Sequence, residues 1–189
     1  MRYYKMKHDA ENFRWIEAKS IEWNYVTQKV LDAELVGNVE NNQFIIIDDD
    51  PKYVLGDYPV FCIPVISLRA KKLLEEFWKG KVEFIKIKID ADDNYYVVNV
   101  LNVLDILDLQ NSDVIMFPNT DRIMIIKEYS FFEFNDDCTS IFKIKGYERG
   151  EVFINEAVYH KIISENLQGF ELVPTDIPYV NPFQELLKK

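Results

Sequence analysis

The sequence is poor in the residue types that most enzymes use for chemistry at neutral pH. Its two histidines, His8 and His160, stand alone, without another histidine or a cysteine at the spacing of a metal site. Its six glycines are scattered, and neither phosphate-binding motif, G-x-G-x-x-G or G-x-x-x-x-G-K-[ST], occurs. The motifs G-x-S-x-G and H-E-x-x-H are absent as well. These absences predict no cofactor and no metal, and they leave paired carboxylates as the one route to an enzyme.

Cysteine and long apolar runs are also scarce. Only Cys62 and Cys138 occur, and in a reducing cytoplasm we expect both to be small buried side chains. A disulfide between them would need Cα atoms within about 7 Å, a distance that the sequence leaves open. No apolar run reaches the roughly 18 residues of a membrane span, and charges interrupt the N-terminal segment where a signal peptide is apolar. We therefore expect a soluble, cytoplasmic protein without a membrane partner.

Basic residues are outnumbered, with 22 Lys and Arg against 32 Asp and Glu, giving a net charge of −10. Negative charge of this size repels phosphate backbones and argues against nucleic-acid binding. The acids cluster at Asp48–Asp50, at Asp90 with Asp92 and Asp93, and at Asp136–Asp137. Such clusters can steer a basic protein partner toward the surface. Solvated turns at strand ends are the alternative interpretation.

Hydrophobic residues, at 48% with 14% aromatic, are plentiful enough for a substantial core. A weak internal repeat organises the second part of the chain, because residues 63–86 and 151–174 are each typical of a strand, a helix and a strand. Ser67 and Asn155 stand at equivalent positions and are predicted N-caps of the two helices. Duplication of one ancestral unit and convergence on a common motif both account for this repeat.

The spacing of apolar residues supports both helices. One helical face is predicted to carry Ala70, Leu73, Leu74 and Phe77 in the first unit, and Val158, Ile162 and Ile163 in the second. Gly80 and Gly169 follow the helices, where a left-handed residue can close the last turn.

Strands are predicted over residues 2–7, 43–47, 95–100, 122–126, 130–134 and 141–145. The last of these alternates apolar and charged residues, which indicates one solvated face. Residues 13–28 fit no element clearly. The prediction is an α+β fold with a mixed sheet and two or three helices, in a single domain over residues 1–174. A proline-containing tail over residues 175–189 either packs on the domain, frays or serves as a partner-binding peptide.

Residues 94–112, NYYVVNVLNVLDILDLQNS, are the most unusual stretch. Polar side chains recur in it at steps of three, at Asn99, Asn102, Asp105 and Asp108. We expect Asn102 and Asp105, with their short polar side chains, to bond backbone groups where a strand turns into a helix. Contact with a partner is a second interpretation. Catalysis is a third, but a carboxylate pair needs acids on facing elements, which spacing along one segment does not supply.

Glu83 and Glu171 occupy matching positions in the two repeat units, each between apolar residues on a predicted strand. Because side chains alternate along a strand, we expect both glutamates to be exposed.

The stretch 94–112 resembles the signature segment of the bacterial immunity protein 11 family. Other pieces resemble that family in the same order, namely MRYYKM, PVISLRAKKLLEEF, VEFIKI, DRIMIIKEYSFFEF, IFKIKG and VFINEAVYHKI with GFEL. The likeness runs through most of the chain and is weakest across residues 11–58. It implies a non-catalytic protein that neutralises a toxin encoded beside it, protecting the producing bacterium and its kin.

The resulting hypothesis is an immunity protein that binds and occludes a cognate toxin domain. Toxins that attack nucleic acid are usually basic, so an acidic inhibitor fits this role. Six aspartates are our guess for the charged rim of the contact, Asp48, Asp49, Asp50, Asp90, Asp92 and Asp93, although the family likeness does not nominate them. An adaptor for a partner unrelated to toxins is the first alternative. A small carboxylate-based enzyme is the second.

Overall fold

The computed structural model describes residues 2–47, 50 and 52–176. The helices are α1 (Glu22–Leu31), α2 (Leu68–Leu74) and α3 (Glu156–Ser164), with a 3-10 turn at Asp136–Thr139. The strands are β1 (Tyr3–His8), β2 (Ile16–Ala18), β3 (Gln43–Ile46), β4 (Val65–Ser67), β5 (Val82–Ile89), β6 (Asp92–Val100), β7 (Val103–Leu104), β8 (Asp113–Met116), β9 (Ile123–Glu128), β10 (Lys143–Ile144), β11 (Phe153–Asn155) and β12 (Phe170–Pro174). This mixture of helices with parallel and antiparallel strands confirms the predicted α+β class.

Both repeat units form the predicted strand, helix and strand, as β4-α2-β5 and β11-α3-β12. The two strands of each unit do not pair with each other. Instead, β4 and β5 flank β6, and β11 and β12 flank β1, antiparallel in every case. Each unit is therefore a parallel strand–helix–strand motif with a third strand between its two strands.

The third strands stand in the same register in both units. Tyr96 is paired with Ile66 and Lys86, and Tyr4 is paired with Ile154 and Pro174. The flanking partners are separated by the same sequence offset as Ser67 and Asn155, so the Tyr3–Tyr4 and Tyr95–Tyr96 pairs occupy equivalent positions. The structural correspondence between the two units therefore includes a third strand.

The two units share a central core. Buried residues of α2 and α3 pack there against one face of both sheets, and this central cluster includes Tyr4, Met6, Ile66, Leu74, Val98, Ile154, Val158 and Ile162. The opposite face of the first unit is covered by α1, which inserts Trp23, Val26 and Val30. The opposite face of the second unit packs against the region around the β8–β9 hairpin. Each three-stranded motif thus lies between the shared core and an outer cover.

The helix ends follow the predicted capping chemistry at their N-termini. The Ser67 Oγ accepts a hydrogen bond from the Ala70 N–H at 3.0 Å, and the Asn155 Oδ1 accepts one from the Val158 N–H at 3.1 Å. At the other end of α3, the left-handed residue that closes the last turn is Asn166, with φ 50°. Gly169 was predicted to close this turn, but it instead permits a close contact with Tyr58.

Gly169 lets a neighbouring segment approach the α3–β12 loop. Its φ is +92°, and a Cβ atom added there would lie 2.5 Å from the carbonyl oxygen of Tyr58. The N–H groups of Asp57 and Tyr58 both donate to the carbonyl of Gln168, at 2.9 and 3.0 Å. Glycine therefore brings the segment before β4 against the second unit.

Several strand predictions need correction. Residues 130–134 contain only an isolated bridge between Phe131 and Leu107 rather than a strand. Residues 141–145 contain the two-residue β10, and their predicted solvated face is wrong at Lys143, which is only 2% exposed, whereas Lys145 is exposed. Residues 13–28, left unassigned, hold β2 and most of α1.

Three burial predictions also differ from the structure. Ile163 is exposed, since α3 buries only the narrower stripe of Val158 and Ile162. Cys62 and Cys138 are both free and exposed, because one lies in the loop before β4 and the other in the 3-10 turn.

The predicted tail, residues 175–189, begins directly after the last residue of β12. Thr175 still binds β1, where its N–H donates to the Tyr3 carbonyl at 3.0 Å, and Asp176 pairs with Arg2 at 2.7 Å. Residues 177–189, which carry the rest of the predicted tail, lie outside the described residues.

Candidate partner interface

The polar side chains of residues 94–112 mainly hold backbone and loops. The Asn102 Nδ2 donates to the carbonyls of Cys138 and Ile141, both at 2.7 Å, and so fastens the 3-10 turn beside β6. Asp108 accepts from the Gln110 N–H at 3.0 Å within its own turn. The predicted backbone role is confirmed for Asn102, whereas the Asp105 carboxylate, predicted to bond backbone, pairs with the Lys145 side chain. The predicted passage from strand into helix is wrong, because β7 and a turn follow β6.

Asn99 and Glu83 form a partly buried hydrogen-bond network. Asn99 is fully buried, and its Nδ2 donates to the Glu83 Oε2 at 2.9 Å. The Glu83 carboxylate also accepts the N–H groups of Val36 and Gly37, at 3.0 and 2.8 Å. Burial raises the pKa of Glu83, but these hydrogen bonds outweigh burial and leave the pKa lowered. Glu83 thus secures the α1–β3 loop and is not freely exposed as predicted, whereas Glu171 is exposed.

The carboxylates of Asp105 and Asp108 serve separate contacts. Asp105 is exposed and pairs with Lys145 at 2.8 Å. A hydrogen bond from the Asn111 side chain lowers the pKa of Asp108, although desolvation opposes the shift. A general acid would need a raised pKa, so this lowering is opposite to that role.

Asp90, from the second acidic cluster, lies at one edge of the five-stranded sheet. Strands β3 and β5 pair in parallel, with Phe44 opposite Ile89, so their C-terminal ends point to the same edge. There the Asp90 N–H donates to the Phe44 carbonyl at 2.9 Å, and an Asp90 carboxylate oxygen accepts from the Ile46 N–H at 3.4 Å. Asp90 therefore lies at the end of the strand that leads into residues 48–50.

We call Asp50, Asp90 and Asp92 the acidic edge. Asp50 accepts the Lys52 N–H at 3.1 Å, and Asp92 accepts the Asn94 N–H at 2.9 Å, as is usual for aspartates in turns. The hydrogen bond from the Lys52 N–H lowers the pKa of Asp50, with desolvation opposing. Asp48, Asp49 and the side chain of Asp93 lie outside the described part of the structure, and a role in partner binding remains a prediction for all six aspartates.

An exposed apolar face borders this edge. The register that places Ile16 opposite Ile46 places Trp15 opposite Ile47, and the Ile47 N–H donates to the Trp15 carbonyl at 3.1 Å. Residues opposite each other in an antiparallel ladder project to the same face. Val54 joins them through the Phe13–Val54 bridge, since Phe13 and Trp15 lie on one face of an extended segment. We call Trp15, Ile47 and Val54 the apolar face.

Sequence reasoning missed this face, because β2 lies in the segment that it could not assign. Phe13, Arg14 and Trp15 alternate between apolar and charged side chains, but Ile16 breaks the alternation, so the strand signal is weak. Aromatic content alone does not separate exposed Trp15 from buried Trp23, since both occur in the same segment.

A cleft of about 470 Å³ opens beside Trp15 and is also lined by His8, Tyr58, Val60 and Glu151. The His8 ring stacks on Tyr58 with centroids 4.2 Å apart, and Tyr58 stacks in turn on Phe170 at 4.5 Å. Burial lowers the pKa of His8 to about 4, although a hydrogen bond to the Pro59 backbone opposes the shift. The imidazole is therefore neutral at pH 7, and the cleft wall at His8 carries no positive charge.

The part of the chain that the structure describes offers little to a metal or a membrane. No group of three or more His, Cys, Asp or Glu residues within it is placed to hold a metal ion. None of its helices is long and apolar enough to cross a membrane.

The family model described as Immunity protein family (Imm11) matches residues 45–176. This range contains both repeat units and the segment 94–112, and it extends over well more than half of the chain. The chain belongs to the Imm11 family. No curated protein matches it. The Imm11 match begins within β3, so β1, β2, α1 and Trp15 lie outside the matched residues.

Proposed function

We propose that this Imm11 protein binds a cognate bacterial toxin domain and neutralises it by occluding the toxin's surface. Membership of the immunity family is the observation that carries this proposal. The net charge of −10 supports a basic toxin as the partner. The juxtaposition of Asp90 with the strand leading into residues 48–50 supports a charged rim at the acidic edge. An interface of ordinary size would bury about 1,600 Å² in total.

We further propose that the protein acts stoichiometrically in the cytoplasm and has no catalytic activity of its own. The separate engagement of Asp105 and Asp108 supports a role without catalysis.

A rescue assay tests the proposal. The toxin domain encoded beside this gene is expressed in a sensitive bacterium with and without the protein, and the purified pair is examined for complex formation. We expect restored growth and a stable one-to-one complex. Undiminished toxicity with no complex at micromolar concentrations would contradict the proposal.

A rescue-competent protein that forms no complex would contradict binding as the mechanism. A catalytic mechanism would then show as rescue by amounts of protein far below those of the toxin. Titration of the protein against a fixed amount of toxin distinguishes this outcome from stoichiometric inhibition, which reaches completion at a ratio of one.

A further inference from the structure

We propose that the apolar face, Trp15, Ile47 and Val54, is the hydrophobic anchor of a docking surface for a basic protein domain, with the acidic edge as its charged rim. This inference rests on the proposed function and names the surface that the toxin domain contacts.

The apolar face leaves three large apolar side chains about half exposed on one side of the sheet. Trp15 is 46% exposed, Ile47 51% and Val54 52%. The opposite face of β2 and β3 is fully used, because Ile16 and Phe44 pack there against α1. A single exposed apolar residue needs no explanation, but adjoining ones around a tryptophan are typical of protein-binding sites.

A cleft adjoins the apolar face at Trp15. Trp15 forms a parallel bridge with Val60, and both residues line the cleft beside His8 and Tyr58. The Trp15 side chain therefore stands between Ile47 on one side and the cleft on the other. An apolar side chain of a partner can enter the cleft while its neighbours cover Trp15, which is the arrangement of a binding hot spot surrounded by contacts that exclude water.

The charges around the apolar face favour a basic partner over a second copy of this chain. Asp90 borders it, because its carboxylate accepts the Ile46 N–H at 3.4 Å beside Ile47, whereas Asp50 pairs with Lys52 at 3.2 Å. Two copies meeting face to face would bring their Asp90 carboxylates into one interface, and each copy carries a net charge of −10. Like charges across an interface oppose association, whereas a basic surface would be attracted.

The family match covers only part of this surface. Trp15 lies outside residues 45–176, the range that the Imm11 model matches, whereas Ile47 and Val54 lie inside it. A surface that must fit one particular toxin is expected to draw on residues that the shared fold does not fix.

The test compares Trp15→Ala and Ile47→Ser with the control Tyr25→Ala, using the toxin domain encoded beside this gene as the probe. Tyr25 is an exposed aromatic residue of α1, which covers the opposite face of the sheet. Isothermal titration calorimetry gives the affinities, and circular dichroism confirms that each variant is folded. We expect Trp15→Ala to weaken binding about 30-fold or more, Ile47→Ser to weaken it about 5-fold or more, and Tyr25→Ala to leave it within about 3-fold of wild type.

The outcomes separate this inference from the proposed function. If wild type binds and rescues, and both face variants bind as tightly as wild type, the docking surface lies elsewhere while the immunity function stands. If wild type neither binds nor rescues, both proposals are wrong. If sedimentation shows a wild-type dimer that Trp15→Ala dissociates while toxin affinity is unchanged, a second copy occupies the face, and the inference is overturned.

Discussion

The buried ammonium group of Lys143 is the clearest departure from what the sequence pattern indicates. Its Nζ donates to the carbonyls of Val30 and Leu31, at 2.5 and 3.0 Å, where α1 ends. Arg149 binds Asp32 beside it through two hydrogen bonds of 2.5 and 2.6 Å. A cation at a helix C-terminus satisfies unpaired carbonyls and complements the helix dipole. Lys143 therefore ties α1 to the second half of the chain.

Lys143 should make stability depend on pH in a characteristic direction. Burial lowers the pKa of its ammonium group to about 8, against the opposing effect of Asp32 and Glu148. Between about pH 8 and the unfolded-state pKa near 10.5, the unfolded chain binds more protons, so the free energy of unfolding rises with pH. We expect wild type to gain about 2 kcal/mol relative to Lys143→Met between pH 7.5 and 10. Urea denaturation at several pH values measures this difference.

A matched control for this measurement is Lys145→Met. Lys145 is exposed, and its hydrogen bond with Asp105 raises the pKa of the ammonium group, so it titrates above this pH range. Its difference from wild type should therefore stay constant from pH 7.5 to 10. A constant difference for Lys143→Met as well would show that the buried ammonium group keeps its ordinary pKa.

The sequence could not predict the burial of Lys143 because alternation along a strand distinguishes only two faces. It does not reveal whether one of them meets solvent. Here the face that carries Lys143 is covered by the end of α1, a helix that sequence reasoning left unassigned. The same limit explains Glu83, which is covered by the α1–β3 loop.

At the scale of elements, local signals were predictable and distant pairings were not. The caps Ser67 and Asn155 and the burial of Ala70 and Leu74 depend on residues within one or two turns, and the structure confirms them. Leu73 and Phe77 are only partly buried, and Phe77 lies beyond the end of α2. The placement of β1 between β11 and β12 joins the two ends of the described chain. No spacing pattern within one segment reports such a pairing.

Leu74 and Ile163 provide an element-scale prediction, since the sequence pattern places both on the apolar faces of their helices. Leu74 is fully buried in the shared core, whereas Ile163 is 57% exposed. We expect Leu74→Ala to reduce the free energy of unfolding by about 2 to 5 kcal/mol through lost burial and a residual cavity. Ile163→Ala should cost about 0.5 kcal/mol or less, as is usual for an exposed site. Urea denaturation of both variants measures the two values, and equal costs would mean that the exposures of the two side chains were misassigned.

At the scale of the whole molecule, the net charge of −10 and the acidic edge should act on the rate of association more than on the fold. Steering by exposed charges is screened as the Debye length falls from about 10 Å at 0.1 M salt to about 3 Å at 1 M. We expect the association rate constant with a basic toxin domain to fall about tenfold or more between 50 and 500 mM salt. Stopped-flow mixing of the two proteins measures this rate constant.

The contribution of the acidic edge is isolated by Asp90→Asn with Asp92→Asn, compared with Glu76→Gln and Glu156→Gln. Both double variants remove two negative charges, but the second pair is exposed beside α2 and on α3. If the acidic edge steers the toxin, the aspartate variant should associate several-fold more slowly at 50 mM salt and at nearly the wild-type rate at 500 mM, where screening removes the effect. The glutamate variant should slow association less. Equal slowing by both variants would mean that the overall charge steers the partner without preference for this edge, and an unchanged rate in the aspartate variant would remove Asp90 and Asp92 from the rim of the interface.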